Sequence, residues 1–178
     1  MIRQLPKENI ELRDLMKEYV MDGSPHTDMI ILRGPKRGFF YFPFLNTKLD
    51  YLIEQASMPV LLSRTGRPYR NILVYISGSQ SQDVSIAIQF ARSMGSKITA
   101  VYLHRNRRRA QYLKRFAQVY KVDLDLKEIH GNPTVELITE VKYKGYDLVI
   151  LKRRIKELQN TQVKRIIHLW TGSVMMIP

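Results

Sequence analysis

The stretch Ser77-Gly78-Ser79-Gln80-Ser81-Gln82-Asp83 is the part of the chain best equipped for chemistry. Hydroxyls and amides there separate an apolar run from a helical pattern, and backbone N–H groups exposed at such a strand-to-helix junction attract anions. Ser77, Gly78, Ser79 and Gln80 are therefore candidate ligand-binding residues, although the same segment also reads as a plain turn and helix cap. A second glycine-bearing stretch adds Gly34 and Gly38, which enclose Lys36 and Arg37. No reactive centre can be assembled from the remaining residues. His26, His104, His130 and His168 have no paired spacing suited to a metal, and cysteine is absent. Asp123, Asp125 and Glu128 fall on one expected edge strand as its solvent face, and no serine has an assignable base. Neither enzymatic activity nor a metal is expected.

Charge is the other candidate for function. Lys and Arg number 29 against 16 Asp and Glu, a net +13 that attracts nucleic acid, anionic lipid or acidic protein surfaces. The excess gathers at Arg105, Arg107, Arg108 and Arg109 with Lys114 and Arg115, and at Lys152, Arg153 and Arg154. Solvated helix faces and loops would produce the same pattern. Five aromatics in Phe39-Phe40-Tyr41-Phe42-Pro43-Phe44, beside Lys36 and Arg37, need covering by a domain junction or by a partner.

The elements that must position these residues follow from periodicity. With 178 residues, 44% of them apolar, the chain can close an ordinary core. Apolar positions predict an amphipathic helix over 7–20, and Met29-Ile30-Ile31-Leu32 reads as a strand covered on both faces. A helix follows Asn46, and Pro59-Val60-Leu61-Leu62 reads as a short strand. Gly66 and Pro68 punctuate a linker, after which strands at 71–76, 97–103, 122–129, 147–151 and 174–177 alternate with helices. This alternation predicts an α/β fold with a doubly wound, parallel five-stranded sheet. The chain also repeats itself. Asp28 to Arg33 matches Asp147 to Lys152, and Met58 to Leu62 matches Gly172 to Met176. The expected organisation is a half-domain at 1–64, a linker at 65–70 and a complete domain at 71–178. No apolar run reaches the roughly 18 residues of a membrane span, no signal-peptide h-region is present, and the lack of cysteine suits a reducing cytoplasm.

The complete unit resembles the universal stress protein family. The resemblance rests on Asn71-Ile72-Leu73-Val74 before Gly78-Ser79, and on the helix with Ala87, Ala91 and Gly95. It continues through Ile98 to Leu103, Gly131-Asn132-Pro133, Tyr146 to Leu151, and Gly172-Ser173-Val174. In its terms the fold is adenine nucleotide alpha hydrolase-like, and 1–64 is the back end of a second copy whose first strands are absent. The resemblance implies antiparallel pairing of the last strands, Val60, Leu61 and Leu62 against Val174, Met175 and Met176. This extends five strands to seven, and pairing of two chains remains open. Nucleotide-binding members carry an aspartate after the first strand and glycines after the fourth. Here Ser77 holds the first place, and Lys152-Arg153-Arg154 opens a stretch without glycine until Gly172. No cofactor is therefore expected, and ATP in particular is disfavoured, because side chains occupy the space where phosphates would approach the backbone.

Similar domains form cytoplasmic tails of cation/proton antiporters, amino-acid permeases and cation-chloride cotransporters. The leading expectation is a non-catalytic regulatory module of that kind, attached to an upstream transmembrane domain, with its basic surface against the anionic inner leaflet. The alternative is a free-standing, degenerate stress protein that senses a small anionic or nucleotide ligand. Nucleic-acid binding through the basic surface ranks third and is not favoured.

Overall fold

The computed structural model describes residues 3–4, 29–33, 55–64, 68–77, 82–153, 170 and 172–178. In chain order the strands are β1 (Arg3–Gln4), β2 (Ile30–Arg33), β3 (Val60–Ser63), β4 (Asn71–Ile76), β5 (Lys97–Leu103), β6 (Leu124–Ile129), β7 (Leu148–Lys152) and β8 (Ser173–Ile177). The helices are α1 (Gln82–Met94), α2 (Arg107–Val119), which follows a 3-10 turn at His104–Asn106, and α3 (Pro133–Tyr143). The described strands form one eight-stranded sheet in the order β1-β2-β3-β8-β7-β4-β5-β6. All neighbours run parallel except β3 and β8, which are antiparallel with Val60 opposite Met176, Leu61 opposite Met175 and Leu62 opposite Val174.

Strand alternation sorts the core onto the two faces of this sheet. Leu73, Tyr75, Val101, Val149, Leu151, Val174 and Met176 point to the face covered by Leu137 and Val141 of α3. Their sequence neighbours Ile72, Val74, Ile76, Ile98, Ala100, Leu148, Ile150 and Met175 point to the other face, covered by Ala87, Ile88 and Ala91 of α1 and Ala110, Leu113 and Ala117 of α2. Because successive residues of a strand face opposite ways, only a strand covered on both sides is apolar throughout. The burial of every residue from Ile72 to Ile76 and from Leu148 to Leu151 shows this directly. Each such side chain removed from water contributes roughly 1.5–3 kcal/mol.

One strand departs from expectation. Arg3 and Gln4 carry no apolar period, yet they pair with Ile30 and Ile31 as a parallel strand outside β2, so the sheet has eight strands where the sequence suggests seven. The helices expected at 7–20 and at 162–169 and the aromatic run from Phe39 to Phe44 lie outside the described residues, and of the helix expected after Asn46 only the end is described, with Gln55 helical and Ala56 buried. No helix among the described residues is long and apolar enough to cross a membrane.

Candidate functional site

Strand order singles out one place in the molecule. From β4 the chain moves outward through β5 to β6, then returns to the opposite side of β4 with β7. The crossovers flanking β4 therefore lie on different faces of the sheet, and the switch in strand order falls at the carboxyl ends of β4 and β7. In open α/β sheets this switch point is where ligands bind. The residues presented there are Ser77, buried directly after β4, and Lys152 and Arg153, both half-buried at the end of β7. The Arg153 backbone N–H donates to the Ile177 carbonyl at 2.8 Å, which ties this end of β7 to β8.

The neighbouring strand ends add polar groups. Asn106, in the turn after β5, donates from Nδ2 to the Ile76 carbonyl at 3.2 Å and so pins that turn over the end of β4. Tyr102 of β5 stands in register with Glu128 of β6, and its hydroxyl donates to Oε2 at 3.3 Å. His104 Nδ1 lies 2.6 Å from Glu128 Oε1, and His130 Nδ1 lies 3.8 Å from the same oxygen. The hydrogen bond from His104 is the main reason that the Glu128 carboxyl is held below the usual carboxylate range. Burial, followed by the charge of Glu128, raises the Tyr102 hydroxyl. The carboxyl ends thus offer cations and a hydroxyl at the switch point and an imidazole-bridged carboxylate further out. Such a surface can hold a phosphate at one end and a hydroxyl or amine at the other.

Of the residues singled out by sequence, Ser77, Lys152 and Arg153 come to this end of the sheet. Gly78, Ser79, Gln80, Gly34, Gly38 and Arg154 lie outside the described residues. Arg105, exposed, sits in the turn after β5, whereas Arg107, Arg108 and Arg109 begin α2, which runs back across the sheet face. Sequence reasoning missed Asn106 and the Tyr102–Glu128–His104 group. The expectation of a solvent face fails for Glu128, which alternates onto the same side of β6 as Leu124 and Leu126, where parallel pairing of β5 with β6 brings Tyr102 beside it. Arg64 was also missed. It is 7% exposed where β3 meets β8, with its backbone N–H on Ser173 Oγ at 3.0 Å and its guanidinium on the carbonyls of Trp170 and Gly172. Burial lowers that guanidinium to about 10. Gly172 is required here, because a Cβ would lie 2.5 Å from Trp170 Nε1.

At the opposite, amino end of the strands a groove of about 620 Å³ is lined by Arg92, Gly95, Lys97, Tyr120, Lys121 and Asp123 among others. Lys97 there is engaged by Asp125 at 2.8 Å and Asp123 at 3.5 Å, and Arg92 lies over the Tyr120 ring at 5.8 Å. Among the described residues no group of three or more His, Asp or Glu is placed to hold a metal ion.

No protein-family model and no curated protein matches the sequence. Solved structures do match. A universal stress protein from Archaeoglobus fulgidus DSM 4304 superposes with a TM-score of 0.69 at 10% identity over 93% of this chain, which spans 64% of the length of that protein. A protein of the universal stress protein family from Burkholderia pseudomallei superposes with a TM-score of 0.51 at 19% identity, 64% of this chain covering 99% of that one. The matches also include a universal stress protein in complex with cAMP, at 15% identity, a TM-score of 0.49 and coverage of 62% and 98%. The expectation that no cofactor is held and that ATP is disfavoured is corrected on the chemistry of the residues at this end of the sheet. The expectation rested on missing glycines after β7, in a stretch that from Arg154 onward lies outside the described residues. It also overlooked that arginine and lysine side chains bind phosphate without a glycine cradle. At these identities the likeness establishes architecture, and the architecture of this chain is the universal stress protein fold.

Proposed function

We propose that the chain is a non-catalytic sensor domain of the universal stress protein type that binds a small anionic ligand of the nucleotide class at the carboxyl ends of β4 and β7. The reversal of strand order between these two strands, with Ser77 at one end and Lys152 and Arg153 at the other, carries this reading. The phosphate sits against the cations and the N-terminal side of α1, and the outer polar group faces Tyr102 and Glu128. Residues 1–64 act as the back half of a second copy joined through β3 and β8, and 71–178 as the complete unit. This division is supported by the fact that about two thirds of the chain suffices to cover a single stress protein of the same fold. The transporter-tail reading draws no such support from the comparisons, whose named relatives are universal stress proteins.

The test is thermal unfolding of the full chain titrated with ATP, AMP and cAMP. A ligand that binds only the native state stabilises it by about 2.7 kcal/mol at a hundredfold excess over Kd. Lys152→Gln should shift the titration to higher ligand concentration. A melting temperature indifferent to all three nucleotides, in a chain that unfolds cooperatively, would overturn the proposal.

A further inference from the structure

Residues 104–122 contain no Asp or Glu but hold Arg105, Arg107, Arg108, Arg109, Lys114, Arg115 and Lys121. The buried side of α2 consists of Ala110, Leu113 and Ala117, so the opposite side is presented outward. On that side Arg107, Arg108, Gln111, Tyr112, Lys114, Arg115, Gln118 and Val119 are all exposed. At 3.6 residues per turn, Arg107 and Lys114 stack in one row, and Arg108 and Arg115 stack in a second row roughly 100° around the helix. Gln111 and Gln118 run between the two rows. Among the described residues, none of Arg107, Arg108 and Arg115 has an ion-pair partner, and Lys114, beyond salt-bridge distance of any acid, still lies close enough to Asp125 of β6 to add to Lys97 in holding that carboxyl down. The helix packs on β5 and β6, and β6 is the edge of the sheet, so α2 is the outermost described helix on its face.

We infer that this face of α2 is a docking surface for double-stranded DNA, with the helix lying in the major groove. Two rows of cations with a row of side-chain amides between them match a groove that has a phosphate backbone on each side and base edges on its floor. A helix with its side chains is about 10–12 Å across, and the major groove of B-DNA is about 12 Å wide. Gln can both donate to and accept from a base edge, and four of the six basic residues on or just after α2 are arginine, the better fork for phosphate oxygens. A bilayer fits the pattern less well. A flat anionic plane would meet the glutamines between the rows, and the only apolar side chains available for insertion, Tyr112 and Val119, lie on one flank. This reading places a duplex ahead of the inner leaflet expected of a transporter-tail module. This surface is separate from the ligand site, so failure of either proposal leaves the other standing.

The full chain is titrated against a fluorescently labelled DNA duplex, the corresponding single strand, and vesicles containing phosphatidylserine, each over a range of salt. Duplex binding should fall with salt with a log–log slope of about −3 to −4, as four phosphate contacts require. Replacing both Arg108→Gln and Arg115→Gln should weaken it at least tenfold at low salt and flatten the slope by about 2. Lys142→Gln with Lys144→Gln, which removes two exposed charges at the C-terminal end of α3 and just beyond it, should leave the slope unchanged. Circular dichroism and melting of each variant confirm that the fold is intact. Equal loss from the α3 variant would reduce the effect to net charge and overturn the proposal. So would single-strand binding as tight as duplex binding, or vesicle binding without duplex binding.

Discussion

Helices α2 and α3 cover opposite faces of the same sheet and are built on opposite terms. α3 obeys every local rule for a helix. Asn132 caps it by accepting from the N–H groups of Thr134 at 3.0 Å and Val135 at 3.3 Å, Pro133 occupies the first position, and Glu136 turns back to the Gly131 N–H. Lys142 stands in its last turn, and Gly145, at φ 67°, reverses the chain just beyond its end. α2 breaks these rules one after another. Asn106 makes no cap and spends its amide on the Ile76 carbonyl; three arginines crowd a first turn without an acid, where the helix dipole favours negative charge. Its exit also uses Lys121 at φ 56° in a left-handed position that α1 and α3 assign to Gly95 and Gly145. Local inconsistency of this kind gathers where a surface serves something other than stability. α3 is a structural support, and α2 is held by its core face while its exposed face is free to carry charge.

This contrast can be broken most strongly in the core. Leu137→Ala in α3 and Leu113→Ala in α2 each remove a fully buried side chain and should cost about 2–5 kcal/mol in denaturant unfolding. If Leu113→Ala costs far less than Leu137→Ala, α2 is not held by packing and the contrast fails. A smaller effect sharpens it. Lys121→Gly relieves a left-handed residue and should stabilise the protein by about 1 kcal/mol, and a loss of stability would show that the Lys121 side chain supplies more than the backbone strain removes. The effect confined to the narrowest range of conditions appears in alkali, beside α3. Tyr146 donates to Glu140 at 2.8 Å, and burial pushes its hydroxyl up to about 12 from 10.0. The unfolded chain therefore loses this proton first. The stabilisation is complete below pH 10 and disappears as pH rises from 10 to 12. Tyr146→Phe should flatten the unfolding profile across that window only, and an unchanged profile would remove Tyr146 from the balance.

Much of the parallel sheet could be read from local pattern. The runs Ile72 to Ile76 and Leu148 to Leu151 are apolar at every position because both faces are covered, and Pro133 after Asn132 marks a helix start through two independent preferences. β1 escaped detection because Arg3 and Gln4 have no period to show, and they become a strand only through the partner offered by Ile30 and Ile31. In the ligand site Ser77 was legible from its place between strand and helix. Asn106 was not, because an asparagine before a helix reads as a cap, and only the path of the chain turns its amide toward Ile76.

The sequence by itself determined the α/β class, the two-faced burial of the middle strands and the concentration of positive charge between residues 105 and 121, because each of these depends on neighbours along the chain. Tertiary structure alone decided which strand ends meet at the switch point, that Tyr102 and His104 converge on Glu128, and that the cations of α2 form two rows facing outward. Those outcomes follow from the order in which strands pair and from which side of each helix the core takes, and both are set by the burial of apolar area across the whole sheet.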